Sequence, residues 1–431
     1  MKRVTSRRGR GAIGSTWLAL LCAGLFACAT PRAPADREPV DCRPDFPFQD
    51  GWLGGDAAYS VALPAQAASD ERPTLWLFGD SFVSETPLPD RRGAHFVHNS
   101  IGLSHCGENG FEIEYYWGQK SKGEPSAFFD SDAGSPYWWL FDGFVHAGVL
   151  YVGLLEIEAA APDPILKMPF RMTGMQLARI EKPNAPPLEW QPQIANLLRS
   201  DRAFPGAAMV IEGDYVYFFT STALRSGRQP RLLLRMPLAA LTTFPEDLST
   251  HLETWVEGGR WKAGWQPDHA LPVMHDNSSE MSVERHAASG KWIAIYGSPI
   301  QIDAGNAPGA PGDLSDEIFL RHANQLEGPW SERVVLYVMP EVEGGPDGEG
   351  DPNTICYAAK GHAAFARHGR LLFTYVCNLH SKAGDNPYVI LQRLQMNMNL
   401  YRPVVVEEAL PPALRPESTR PLSDLLDRVA N

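Results

Sequence analysis

Leu75-Trp76-Leu77-Phe78-Gly79-Asp80-Ser81-Phe82 is an apolar, aromatic run that stops at a glycine and then presents a carboxylate. An unbroken apolar run of this length, ended by Gly-Asp, reads as a strand covered on both faces. The pattern recurs along the chain. Leu150–Leu155, Val216–Ser221, Ile293–Ser298 and Leu372–Cys377 are comparable strands. Each follows a strand rich in small residues: Gly143–His146, Ala207–Ile211, Met281–Glu284 and His362–Phe365, with Ala57–Leu63 preceding the opening run. The strand ends fall at 80, 155, 221, 298 and 377, at intervals of 75, 66, 77 and 79 residues. Five such units predict an all-β chain folded as a five-bladed β-propeller, since one blade cannot bury both of its faces alone. An irregular pair of β-sandwiches is the competing architecture. Third strands are expected at Gly110–Trp117, Thr173–Ile180, Arg231–Met236, Ile318–Arg321 and Val389–Leu394.

The N-terminal stretch predicts an address. Lys2, Arg3, Arg7, Arg8 and Arg10 precede an apolar run, Ile13–Ala27, that is short for a permanent membrane span. It ends in Leu25-Phe26-Ala27-Cys28, which resembles a bacterial lipobox and predicts a lipoprotein signal over 1–27 with lipid on Cys28. A plain secretory signal cut near Ala29 is the alternative. Ala29 is not Asp, so outer-membrane sorting in a bacterial envelope is expected. Residues 28–44 read as a flexible tether, 45–406 as the propeller, and 407–431 as a Pro-rich tail with a short helix over Leu422–Val429. Removing 1–27 takes away five positive charges and no acid, so the net charge of −13 becomes −13 − 5 = −18. Such an acidic chain argues against nucleic acid as a partner, and leaves the lipid as the expected link to a membrane. A neutral polysaccharide or oligosaccharide is compatible, and a monomer is expected.

Four cysteines remain after Cys22 and Cys28. Cys356 and Cys377 flank a hairpin turning at Arg367–Arg370, so they should face each other across paired strands. By elimination Cys42 pairs with Cys106, unless all four are reduced core thiols.

Asp80 ends the second strand of the first unit, and Asp56 stands near the start of the first. Antiparallel pairing brings these two carboxylates to one rim of the channel. Glycosidic bond cleavage needs such a pair, one acid for the leaving oxygen and one nucleophile or base. Like-charge repulsion raises one of the two pKa values. Glu280 opens the fourth unit as a third acidic candidate. Tyr137, Trp138 and Trp139 are candidate stacking platforms for sugar rings, and Asn99 and His362 candidate partners for sugar hydroxyls. Each also has a plain structural reading as blade packing or a satisfied core residue. Glu156 is a weaker spare. His95, His98 and His105 lack zinc spacing, and Glu341–Asp351 lacks the alternating ligands of a calcium loop. No metal or cofactor is expected; a structural ion in the channel has no support in the sequence.

Trp76–Phe82, the upstream Gly55-Asp56 and the following Asn99-Ser100-Ile101-Gly102 resemble the bacterial group called domain of unknown function 4185. Ser279–Val283 followed by Gly290-Lys291-Trp292 is similar to that group too. More distantly the chain resembles the five-bladed furanosidase-like glycosidases. The resemblance implies a propeller over about 45–406 and, because some members are endo-acting D-arabinanases using two aspartates, catalytic roles for Asp56 and Asp80. Gly-Gly-Asp-Ala-Ala here departs from the Gly-Asp-Leu-Gly-like stretch of that group. The expected function is a surface-tethered glycoside hydrolase acting on a furanose-containing, arabinan-like polysaccharide. The alternative is a non-catalytic propeller that binds glycan or a partner.

Overall fold

The computed structural model describes residues 41–415, apart from 66–71, 132–135, 162–169, 223–229, 276–279, 298–315, 344–350, 368 and 382–383. The predicted signal peptide, Cys28, most of the tether and the helix over Leu422–Val429 lie outside the described residues.

Apart from a two-stranded pair, Gly118–Gln119 with Pro125–Ser126, the described residues form five antiparallel sheets that follow one another along the chain. Their innermost strands are Trp52–Ala62, Tyr137–His146, Ala203–Glu212, Ser282–Arg285 and Thr354–Gly361. Each touches the innermost strand of the next sheet, and the fifth touches the first, so the ring closes into a five-bladed propeller. The second strands are Thr74–Val83, Val149–Ala159, Tyr215–Thr222, Trp292–Gly297 and Arg370–Leu379. Leu75, Trp76, Leu77 and Phe78 are all 0% exposed. That is the physical cause of the unbroken apolar pattern: a central blade strand is covered by neighbouring blades on both sides, so neither face needs polar residues.

The outer strands differ from expectation in two blades. In blade one the third strand is Ser100–Gly107, and Gly110–Tyr116 is the fourth. In blade five Val389–Leu394 belongs to a helix, Pro387–Met396, and Pro403–Ala409 supplies the third strand. The apolar run suggested a strand, but Asn386-Pro387 is a helix start. The Asn386 side chain accepts from the Tyr388 N–H, and Pro387 fills the first turn, where a missing N–H costs nothing. Ile390 and Leu394, four residues apart, face inward, while Tyr388, Val389 and Leu391 are exposed. The expected strand over His362–Phe365 is also replaced, by a short 3-10 turn over Ala363–Phe365.

Segment 41–48 seals the joint between blades five and one. Arg43 donates to the Val405 carbonyl at 2.6 Å, and Phe46 packs edge-on against Trp76 at 4.8 Å. The Cys42–Cys106 disulfide ties this segment to blade one. Cys356 and Cys377 are bonded and are register partners, as the hairpin predicted. A second seal is Arg91, which is 0% exposed and donates to the carbonyls of Leu53, Leu394, Asn397 and Leu400.

Candidate active site

Asp56 and Asp80 meet across a bulge. Gly55 pairs with Ser81 and Ala57 with Phe78, so Asp56 alone opposes Gly79 and Asp80. Glycine is needed at 79 because a Cβ there would stand 2.4 Å from Asp56 Oδ1. Directly after Asp56 the backbone turns through two left-handed residues, Ala57 (φ 67) and Ala58 (φ 63). Non-glycine residues resist this conformation at about 1–2 kcal/mol each, so the surrounding packing holds a kink that aims Asp56 into the mouth. Blade five repeats the device at Ala358 (φ 60), just after Tyr357. The two kinked strands meet there: the Tyr357 hydroxyl donates to Asp56 Oδ2 at 2.8 Å. The Tyr401 hydroxyl lies 3.5 Å from the same oxygen.

Burial raises both aspartates, but their neighbours differ. Burial pushes the Asp56 carboxyl well above the usual carboxylate range, and the charges of Asp80 and Glu280 push the same way. Tyr357 and Lys360 oppose them. Asp80 is also raised by burial, but His98 and Trp139 pull it back. His98 Nδ1 lies 3.2 Å from Asp80 Oδ1, and Trp139 Nε1 donates to that oxygen at 2.9 Å. Tyr137 stacks face to face on His98 with centroids 3.7 Å apart. Asp80 thus sits in an aromatic, hydrogen-bonded cradle, and Asp56 in one crowded by acids and tyrosine hydroxyls.

Glu280 joins the same cluster. Its Oε2 accepts from Lys360 Nζ at 2.5 Å, and the Lys360 side chain is only 1% exposed. The ammonium also donates to the Ala358 carbonyl at 2.8 Å and lies 4.3 Å from the Tyr59 ring centroid. Burial lowers the Lys360 pKa, against the charges of Glu280, Asp56 and Asp142. Asp142 is a channel acid that the sequence reading missed because it began that strand at Gly143. It caps the bulge of blade two, accepting from the Gly143 N–H at 2.8 Å and the Met209 N–H at 2.7 Å. A lone acid inside the apolar run Tyr137–His146 was its signal. Burial pushes Asp142 up to about 7, with the two N–H groups opposing. Glu284, four residues beyond Glu280, is likewise pushed by burial to about 7 and accepts from the Ala363 N–H.

Several candidates have other duties. Asn99 is 0% exposed; it donates to the carbonyls of Phe129 and Trp138 and accepts from the Phe129 N–H. It fastens blade one to blade two and offers nothing to a sugar. Trp138 is buried in the interblade core. His362 is 2% exposed, with Nδ1 engaged by Ser60 and Nε2 by Thr374. It is a satisfied core histidine; Lys360, two residues earlier, holds the channel position. Glu156 is buried under Arg199, Thr173 and Gln176. His98, set aside for want of zinc spacing, is the histidine at the mouth. Among the described residues, Glu341, Cys356 and Cys377 are close enough to hold a metal ion, but both sulfurs are spent in a disulfide.

This fold and this cluster define a five-bladed β-propeller with carboxylates gathered at the channel mouth. The chain belongs to the family called domain of unknown function (DUF5005), whose model matches residues 46–407. A Bacteroides ovatus protein provisionally assigned as a hydrolase has a similar solved structure (TM-score 0.57, 17% identity, covering 83% of this chain and 86% of that one). Looser likenesses include the alpha-L-arabinanase of Cellvibrio cellulosa (TM-score 0.38, 9% identity, 83% and 92% covered). Another is a GH43_1 enzyme of Xanthomonas citri (TM-score 0.39, 13% identity, 86% and 92% covered). Comparison with curated proteins gives no match.

Proposed function

We propose that the chain is a glycoside hydrolase acting on a furanose-containing, arabinan-like polysaccharide, with Asp56 as acid and Asp80 as base or nucleophile. The observation that carries this reading is the pair's unequal setting across one bulge. Asp56, raised by burial and by two neighbouring acids, holds a proton to deliver to the leaving oxygen. Asp80, bonded by Trp139 Nε1 and facing His98 Nδ1, has donors that favour its charged form. Tyr137 and Trp139 flank Asp80 with ring faces suited to a sugar. Glu280, clamped by Lys360, contributes fixed charge that keeps Asp56 protonated. Lipid on Cys28 would tether the enzyme at the cell envelope, facing extracellular glycan.

The test is release of reducing ends from a panel of arabinans and galactans. Asp80→Asn should cut the rate by at least about a thousandfold while circular dichroism and melting are retained. Undiminished turnover in that variant removes Asp80 from the chemistry. The second reading, glycan binding without cleavage, is favoured by the same cradle, since an Asp80 already held by two partners can grip a hydroxyl. It predicts binding to the panel with no new reducing ends from the unmodified chain. Palmitate incorporation that disappears in Cys28→Ala tests the tether.

A further inference from the structure

We propose that a groove between blades three and four is a second carbohydrate site, binding a neutral oligosaccharide away from the channel acids. The groove has a volume of about 780 Å³ and is lined by Glu212, Trp255, Trp261, Leu271, Gln325 and Glu327. That falls in the range of small-molecule sites, about 300–1,000 Å³. Blade three builds its share with an extra hairpin, Glu253–Val256 and Arg260–Ala263, outside its third strand. Trp255 and Trp261 are direct cross-strand partners on this hairpin. Their centroids lie 5.2 Å apart with planes tilted by 54°, and both rings are only partly buried.

An outer hairpin needs apolar residues only on its inward face. Here one tryptophan is also fixed edge and face. The Arg235 guanidinium lies 4.2 Å from the Trp261 ring centroid and 4.0 Å from that of Tyr215, and is itself paired with Glu253 at 2.7 Å. Trp261 Nε1 donates to Glu327 Oε1 at 3.2 Å, across the groove. A ring so held loses little conformational freedom on binding, as an efficient stacking platform requires.

The polar lining selects the ligand. Glu212 and Glu327 are acceptors, Gln325 is both donor and acceptor, and the lining contains no Lys or Arg. Glu212 is paired with Arg285 at 3.2 Å, so Glu327 is the like charge that phosphate, sulfate or uronate groups would meet. An apolar peptide would add no partner for the Gln325 amide, and none for the carboxylates beyond Arg285 on Glu212 and Trp261 Nε1 on Glu327. A neutral sugar offers both CH faces for the rings and hydroxyls for the polar groups. Glu212 ends its innermost strand, whereas Asp56 lies early in its own and Glu280 precedes its own, so the groove opens toward the end of the blades remote from the acids. A site there would hold polysaccharide without blocking the mouth, and the inference stands whether or not the mouth cleaves.

The experiment measures binding of arabino-, xylo- and galacto-pentaoses, with an oligogalacturonide as anionic control, by calorimetry on the full chain carrying Asp80→Asn. We expect at least one neutral pentaose to bind and the oligogalacturonide not to. Adding Trp255→Ala should weaken binding about tenfold, the worth of one stacking ring, with Trp255→Phe recovering part of the loss. Gln325→Ala, at an exposed position that leaves packing intact, should weaken it several-fold. Trp139→Ala should leave this binding unchanged. The proposal is overturned if no neutral pentaose binds, or if Trp255→Ala and Gln325→Ala both stay within twofold of the parent. Loss in Trp139→Ala alone also overturns it, because the binding would then be at the mouth.

Discussion

Arg91→Met tests what closes the ring and steadies Asp56. The guanidinium is fully buried, and its four acceptors are backbone carbonyls at 2.7 Å (Leu53), 3.0 Å (Leu394), 2.8 Å (Asn397) and 2.5 Å (Leu400). Two of these belong to the C-terminal turn of the helix Pro387–Met396 and its exit, where carbonyls lack partners and a cation is favoured. Hydrogen bonds from a charged donor contribute about 1.5 kcal/mol each at the low end, so four give roughly 6 kcal/mol. Burial opposes this by lowering the pKa from 12.5 to about 10, which costs the charged form roughly 3 kcal/mol at about 1.4 kcal/mol per tenfold. The net is about 3 kcal/mol. Arg91→Met keeps the bulk and removes the donors, so the unfolding free energy from urea titration should fall by that amount, through a lower midpoint at an unchanged slope. Arg91→Lys should recover less than half, because an ammonium lacks the planar fork. The change should reach the site. Leu53 lies three residues before Asp56, and Leu400 precedes Tyr401, whose hydroxyl is 3.5 Å from Asp56 Oδ2. Faster hydrogen exchange along Trp52–Ala62 and in the helix should accompany the loss. A destabilisation under about 1 kcal/mol would refute the reasoning, since desolvation would then cancel the bonds.

Stability should vary with pH in two opposed ways. Asp142 and Glu284 are raised to about 7 from 3.8 and 4.5, so the folded state holds protons that the unfolded chain releases. Their stabilisation is present at low pH and is lost as pH rises through about 7. His362 is lowered by burial from 6.5 to about 3, so its contribution is present above pH 6.5 and is lost as pH falls toward 3. Melting scans from pH 3 to 8 should therefore show a weaker alkaline fall in Asp142→Asn and a weaker acid fall in His362→Gln; unchanged slopes would contradict these assignments. Lys360→Met should cost about 3 kcal/mol, because Glu280, with its side chain 12% exposed, loses a cation 2.5 Å away. If the mouth is catalytic, the same change should carry the alkaline limb of the activity profile to higher pH, since Lys360 holds the Asp56 pKa down. Lower amplitude with an unmoved limb would mark Lys360 as structural only.

Much of the architecture was legible because it is periodic. Burial of the second strands on both faces writes itself as unbroken apolar runs, and five of them at near-equal spacing leave few folds to consider. The Asp56–Asp80 meeting followed from antiparallel pairing alone. Blade five was harder: Val389-Ile390-Leu391 has strand composition, and only the Asn386-Pro387 start declared the helix. Asn99, His362 and Trp138 have the residue types of a sugar site, but their side chains are consumed by backbone carbonyls, hydroxyls and core packing. His98 and Lys360 were passed over because nothing local distinguishes them, and Asp142 because the strand was begun one residue after it.

The sequence by itself determined the blades, their order, the Cys356–Cys377 pairing and the acids that open and close strands, since each depends on short-range pattern or on pairing between neighbours. Only the tertiary structure decided the company each acid keeps. Asp56 meets Tyr357, and Glu280 meets Lys360, across separations of 301 and 80 residues. A pKa is set by burial and by charges a few ångströms away, and ring closure brings those charges together with no trace in local sequence.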